Sequence, residues 1–403
     1  MPKKSAEPSA KTGGILLMIG TTKGAFLIRS NAARTEWKSS GPHFTGQSVY
    51  ALSYDSRQGR SRIWAGTQNP IFGCGLHWSD DFGAQWTNPE VPVPQFPADT
   101  GLSLKQIWQI TPGRDDEPEV LYCGVEPAAL FESRDAGGSW SLVRGLFNHP
   151  HRERWTPGGG GLCLHTIVPD AKNRQRMFVA ISTGGVYRTD DGGQSWRALN
   201  QGIRADFLPT KYPEFGQCVH KIVQHPSRPE RLFLQNHGGL YRSDDSAESW
   251  KEIAKGVPSD FGFPMVVHPH DPNSAYILPL DPMGRWAPEA KLRVFRTSNG
   301  GRSWQALSRG LPQKDVYETV LRDAMDADEL DPAGIYFGTR SGKIFGSRNE
   351  GNSWQMIRDG LPAIVCVKAA VVRNASSAPR ASSFARTRSS KKIRSKAGRT
   401  ARA

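Results

Sequence analysis

Two short segments of this 403-residue chain repeat one pattern of reactive side chains. Cys163-Leu-His165-Thr-Ile-Val and Cys218-Val-His220-Lys221-Ile-Val each set a thiol and an imidazole on one side of an extended strand, because alternate strand residues share a face. A histidine so placed can pass a proton or hold a hydrogen bond near neutral pH. Paired Cys-x-His segments also suit a tetrahedral metal site. Residues i and i+2 stand roughly 7 Å apart along a strand, however, so the two pairs converge only if the strands lie close. The expectation is therefore no metal and no cofactor. A third segment, Tyr317-Glu318 with Arg322 beyond it, offers a phenol, a carboxylate and a guanidinium. His165, His220, Tyr317 and Glu318 are the candidate catalytic residues. Glycoside hydrolysis would need two carboxylates about 5 Å or about 6.5–9.5 Å apart. Glu126, Glu214, Asp260, Asp315 and Glu318 are the acids in the right segments.

The elements that must position these groups are read from a repeat. The clear copies are SDDFGAQW (79–86), SRDAGGSW (133–140), TDDGGQSW (189–196), SDDSAESW (243–250), TSNGGRSW (297–304) and SRNEGNSW (347–354), with a worn copy, SNAARTEW, at 30–37. Their tryptophans, at 37, 86, 140, 196, 250, 304 and 354, lie 49 to 56 residues apart. Periods of this length indicate a propeller or a solenoid. Each unit reads as four short strands joined by hairpins, the unit of a propeller blade. Residues 14–38 supply strands two to four without a first, and 362–372 supply a first strand with nothing after it. The reading is an all-β, single seven-bladed β-propeller with four-stranded blades. Its C-terminal strand pairs with the N-terminal strands and so removes two free sheet edges.

The hairpin pattern Ser/Thr-x-Asp-x-Gly-x-x-Trp resembles the Asp box, or BNR repeat, of sialidases, sortilin-type receptors, xyloglucanases and the photosystem II assembly factor. The resemblance covers roughly residues 14–372. Asp81, Asp135, Asp191 and Asp245 can accept hydrogen bonds from backbone amides across the turn, as Asx turns do. Asn299 and Asn349 stand in the same place in two copies. Asn makes the turn bond yet is a poor acid or base, so these six positions are structural. A true sialidase implies an Arg-Ile-Pro motif, an arginine cluster and six blades. Here the corresponding segment reads AFLIRSN (25–31), no such cluster is evident and the blades number seven.

In Asp-box enzymes the active site lies on the face bearing the fourth-to-first and second-to-third connections, and these are the long ones here: 87–102, 141–162, 197–216 and 278–292. Loops beyond about 12 residues in a compact fold tend to be functional. The aligned first strands, 48–53, 106–110, 163–168, 218–223, 261–266 and 315–320, put Tyr50, Trp108, His165, His220, Phe263 and Tyr317 at one level of the central channel. Tyr50, Trp108, Phe263, Glu126, Lys221 and Arg322 are the candidate ligand-binding residues. His151, Arg154 and Trp155 sit on a loop that could cover a ligand. The glycine run 158–161 precedes no helix and does not read as a phosphate loop.

Of the net charge of +14, nine Lys/Arg without an acid lie in 374–403 and a net +2 lies in 1–12, which leaves +3 for the rest. A strongly basic folded surface is thus excluded. The expected division is an N-terminal tail over 1–13, the propeller over 14–372, and a basic tail over 373–403 whose polar composition favours disorder. That tail could touch nucleic acid nonspecifically. Five cysteines, an odd number, and no apolar stretch near the roughly 18 residues of a membrane span lead to an expected cytoplasmic setting with reduced thiols and no membrane association. The leading functional expectation is a propeller that binds, and in an enzyme would hydrolyse, a carbohydrate or related small polar ligand. The alternatives are a non-catalytic protein-assembly scaffold with a protein partner, and a His/Tyr-dependent or metal-dependent lyase.

Overall fold

The computed structural model describes residues 13–87 and 93–372. Seven antiparallel sheets follow one another along the chain. Blade one is built from Gly14–Thr21, Gly24–Ser30 and Trp37–His43, with Ile364–Val372 added at its inner edge. That last strand pairs with the first from Gly14↔Val372 to Thr21↔Ile364, closing the ring as expected. Arg34 of blade one adds a buried ion pair, 3.2 Å from Asp328, and donates to the Pro332 carbonyl at 2.9 Å.

Blades three to six begin with the inner strands Gln106–Pro112, Leu164–Pro169, Val219–His225 and Gly262–Val267. The second strands Met177–Ile181 and Ala275–Pro279 are buried along their whole length because each sheet is covered on both faces by its neighbours. Blade two, from Ser48–Asp55 through Gly73–Ser79, shows three strands among the described residues. Beside its third strand the Thr87 amide donates to the Trp78 carbonyl at 3.0 Å and the Thr87 hydroxyl accepts the Trp78 amide at 2.9 Å.

Blade seven departs from expectation more sharply. Its inner strand is Met325–Ala327, not 315–320. The segment DVYETV alternates like a strand, but Asp315 turns the chain at φ +55 and the Val316 amide bonds the Ala290 carbonyl. Val316 and Val320 are buried as loop residues.

The repeated hairpins form the bonds their residues allow. In the 79–86 copy Ser79 Oγ donates to Asp81 at 2.8 Å, the Gly83 amide donates to Ser79 Oγ at 2.8 Å, and the Gln85 amide donates to Asp81 at 2.9 Å. Asp135, Asp191 and Asp245 accept the same amide bond from Ser139, Ser195 and Ser249. Asn299 and Asn349 accept it from Ser303 and Ser353 at 3.0 and 2.9 Å. Two of the tryptophans bond blade to blade: Trp250 and Trp304 donate their indole N–H to the Leu199 and Ile253 carbonyls of the preceding blade.

Candidate functional site

Six of the seven inner strands slip register at one level. The pairing jumps from Val49 to Ala51, Ile107 to Gln109, Leu164 to Thr166 and Val219 to Lys221, and again across Phe263 and across Val365 opposite Gly20/Thr21. A bulge of this kind turns an unpaired residue out of the ladder and aims its side chain afresh. Tyr50, Trp108, His165, His220, Phe263 and Val365 are those residues. In blade seven the Gly338 amide bonds the Ala324 carbonyl, so the equivalent residue is Asp323, and Tyr317 is not part of the set.

Above this level a pocket of about 520 Å³ opens on the face of the long connections. Tyr50, Trp108 and Phe263 form aromatic walls, with Tyr50 and Trp108 edge to face at 5.0 Å. Gly158, Gly159 and Gly160 form part of the rim; a Cβ on Gly158 would stand 3.2 Å from Ser182 Oγ and crowd it. Gly161, at φ +93, leaves no room for a side chain beside the Glu126 carboxylate.

Arginines set the charge of the pocket. Arg285, Arg322 and Arg340 all line it, and none forms an ion pair among the described residues. Arg322 stands deepest. Its Cζ is 5.5 Å from the Trp108 ring centre, and its Nε is buried with no hydrogen-bond partner among the described residues. This cluster is assembled from two blade connections and one segment leading into an inner strand, which no single stretch of sequence displays. Arg285 sits at φ +57, a conformation that costs energy for a residue with a Cβ and gathers at functional sites.

The two histidines differ. His165 is fully buried, with Nε2 2.9 Å from the Val219 carbonyl and Nδ1 2.9 Å from Thr166 Oγ1, so both nitrogens are spent inside the wall. His220 lines the pocket. Its Nδ1 lies 2.6 Å from the Gly262 carbonyl, which can only accept, so Nδ1 carries the proton and Nε2 keeps its lone pair. Burial, reinforced by the Arg322 charge, lowers His220 to about 3, and the imidazole is neutral at ordinary pH.

Several expected site residues lie elsewhere. Tyr317 is 66% exposed and packs edge-on against Trp286, outside the pocket. Glu318 is buried beneath it, bonded to Ser341 Oγ at 2.7 Å and Lys343 Nζ at 2.8 Å. Both err for the same reason as the misplaced inner strand. Glu126 is not on the pocket surface but accepts the Trp108 indole N–H at 3.2 Å and so orients that wall. Lys221 points into mid-channel, 2.6 Å from Asp323. Asp260 pairs with Arg204, and Asp315 is exposed beside Lys314. The 151–155 loop is pinned down: Trp155 donates to Tyr187 at 2.9 Å and His151 stacks on Phe215 at 4.0 Å. Asp323 is the single carboxylate among the pocket-lining residues, and Lys221 engages it. Residues that sequence reasoning missed are Arg285, Arg340, His237 and Asp323. For His237 a signal existed, the polar turn Gln235-Asn236-His237-Gly-Gly closing an otherwise apolar hairpin.

Fold and site together define a seven-bladed propeller with a ligand-sized, guanidinium-lined well at its hub. No family model matches the chain. It is 23% identical, over 57% of its length, to a probable oligoxyloglucan-reducing end-specific xyloglucanase of Neosartorya fischeri, of which it covers 30%. It is 20% identical, over 61% of its length, to the photosystem II assembly lipoprotein Ycf48 of a Synechococcus species, of which it covers 73%. Among solved structures, the GH74 xyloglucanase of Xanthomonas campestris aligns with a TM-score of 0.59 at 17% identity, over 85% of this chain and 52% of that one. YCF48 from Cyanidioschyzon merolae aligns at 0.52 and 10% identity, over 77% and 87%. The chain thus spans less than a third of the xyloglucanase relative's length, and what these likenesses show is the propeller fold, shared with both groups.

Proposed function

We propose that the hub pocket binds a small polar ligand bearing an anionic group, with an acidic sugar in first place. Arg322 carries the reading: a guanidinium over an indole, with a buried N–H that no atom of the described residues satisfies, is a costly arrangement unless a ligand oxygen completes it. Arg285 and Arg340 add positive charge at the mouth, and Tyr50, Trp108 and Phe263 offer faces against which a sugar ring can lie. The similarity to xyloglucanases supports a carbohydrate. Among the described residues no pair of free carboxylates lines the pocket, and the reading is therefore one of binding.

The test is a thermal-shift panel of glucuronate, galacturonate, sulfate, glucose and xylose. Glucuronate or galacturonate should raise the melting temperature while glucose and xylose do not, and the Arg322→Gln variant should lose the shift. Equal shifts with acidic and neutral sugars would count against it. One observation favours a second reading, a protein partner on the same face. Ile71, Phe72 and Met283 are 82%, 84% and 91% exposed there, and the Ycf48 relative is named as an assembly protein. Under that reading no sugar shifts the melting temperature.

A further inference from the structure

Cys218, His220 and His237 meet on one wall of the hub pocket, and one potential ligand atom from each lies within 4.8 Å of those of the other two. They come from two adjacent strand ends of blade five, where the His237 amide bonds the Cys218 carbonyl at 2.9 Å and so fixes the spacing of the two side chains. Three features fit a metal centre. First, Cys218 Sγ and His220 Nε2 are 3.6 Å apart. Ligand atoms 2.3 Å and 2.0 Å from a tetrahedral ion lie about 3.6 Å from one another. Second, the Nδ1–H of His220 is held by the Gly262 carbonyl, the outer hydrogen bond that metal-ligating histidines use to fix ring and tautomer, and it leaves Nε2 facing the thiol. Third, the His237 side chain makes no hydrogen bond among the described residues, although the Phe261 ring, 5.1 Å away, limits where it can turn.

We propose that Cys218, His220 and His237 bind a thiophilic divalent metal ion, zinc in first place, with a fourth position open to the hub pocket. One thiolate and two imidazoles with an open position match the donor set of catalytic more than closed structural zinc sites. Binding displaces the Cys218 proton, so the site gains one negative charge as the ion arrives. Arg285 and Arg322, both near enough to act on these side chains, oppose a cation. The thiolate offsets part of that charge, and an anion in the open position offsets more. Metal and anionic ligand therefore strengthen each other's binding. The metal claim does not depend on which ligand the pocket takes.

Chelator-treated full-length protein titrated with Co²⁺ alone tests it. The expected result is one equivalent bound, with intense visible tetrahedral bands and a near-ultraviolet thiolate-to-cobalt charge-transfer band. Cys218→Ser should abolish the charge-transfer band, and His237→Gln should weaken Co²⁺ and Zn²⁺ binding by roughly 10-fold or more. Cys163→Ser should leave the spectrum unchanged, which excludes the thiol of the neighbouring blade. If Cys218→Ser fails to fold, His237→Gln, in a loop beyond the strand, carries the same test. A wild-type titration without the charge-transfer band, or a band that persists in folded Cys218→Ser, overturns the proposal and leaves an ordinary thiol–imidazole hydrogen bond.

Discussion

Lys221 Nζ lies 2.6 Å from Asp323 Oδ1 in the middle of the channel, and Lys368 approaches the same oxygen at 3.7 Å. These residues come from blades five, seven and one, so the cluster ties three spokes together and floors the pocket. Burial pushes the Asp323 carboxyl up, but the charges of Lys221 and Lys368 outweigh it and hold it below its usual value. Removing one partner leaves buried charge uncompensated. Asp323→Asn is expected to cost about 3–5 kcal/mol, read as a lower urea midpoint. An unchanged midpoint would show that the channel admits enough water to screen the pair.

Tyr317→Ala and Glu318→Gln separate the observed site from the one expected at first sight of the chain. Neither side chain faces the pocket, so ligand affinity should stay within about twofold in both. Glu318→Gln should still lower stability, by about 1–3 kcal/mol, because Ser341 and Lys343 lose a buried charged partner. A loss of affinity in Tyr317→Ala with unchanged stability would move the site outward to Trp286.

The buried histidines predict a pH dependence. Burial lowers His165 well below its usual value and His220 to about 3. The unfolded chain therefore takes up protons that the folded chain refuses, and stability falls as pH drops below about 6.5. His165→Gln should flatten the loss near pH 5 by about 1.4 kcal/mol per pH unit. The same shifts make ligand binding independent of these two groups between about pH 5 and pH 8. Denaturant midpoints measured at several pH values check the first statement, and a binding titration checks the second.

At lower pH the repeated hairpins contribute. Hydrogen bonds from the Ser195 hydroxyl and amide hold the Asp191 carboxyl at about 2. A depressed carboxylate stabilises above its unfolded value near 3.9, and that contribution is lost as pH falls toward 2. Asp191→Asn, which keeps the turn bond as Asn299 does, should remove this part of the acid sensitivity. A full acid profile in Asp191→Asn would assign the sensitivity to other carboxylates.

Trp250 couples two blades through a buried ring and the 2.9 Å bond to the Leu199 carbonyl. Trp250→Ala is expected to cost about 3–5 kcal/mol. Calorimetry should show a lower transition, and a split transition would mean that the blades unfold separately.

Blade number and ring closure were legible because the Ser-Asp-Gly-Trp hairpin recurs at nearly constant spacing, and because the two ends complement each other. The inner wall was legible for Tyr50, Trp108, His220 and Phe263, whose strands share length and register. It failed at blade seven, where alternation in 315–320 mimics a strand while Asp323 occupies the hub position. The arginine cluster was hidden because Arg285, Arg322 and Arg340 are distant in the chain and meet only through loop conformation. The expectations placed on residues 1–12 and 373–403, the basic tail included, lie outside the described residues.

The most direct test of the account is calorimetric titration of glucuronate and glucose into the wild-type chain and Arg322→Gln. The prediction is that glucuronate binds the wild type about 10- to 100-fold more tightly than glucose, and that the substitution erases the preference. A preference that survives in folded Arg322→Gln, or glucose binding as tightly as glucuronate, would contradict it.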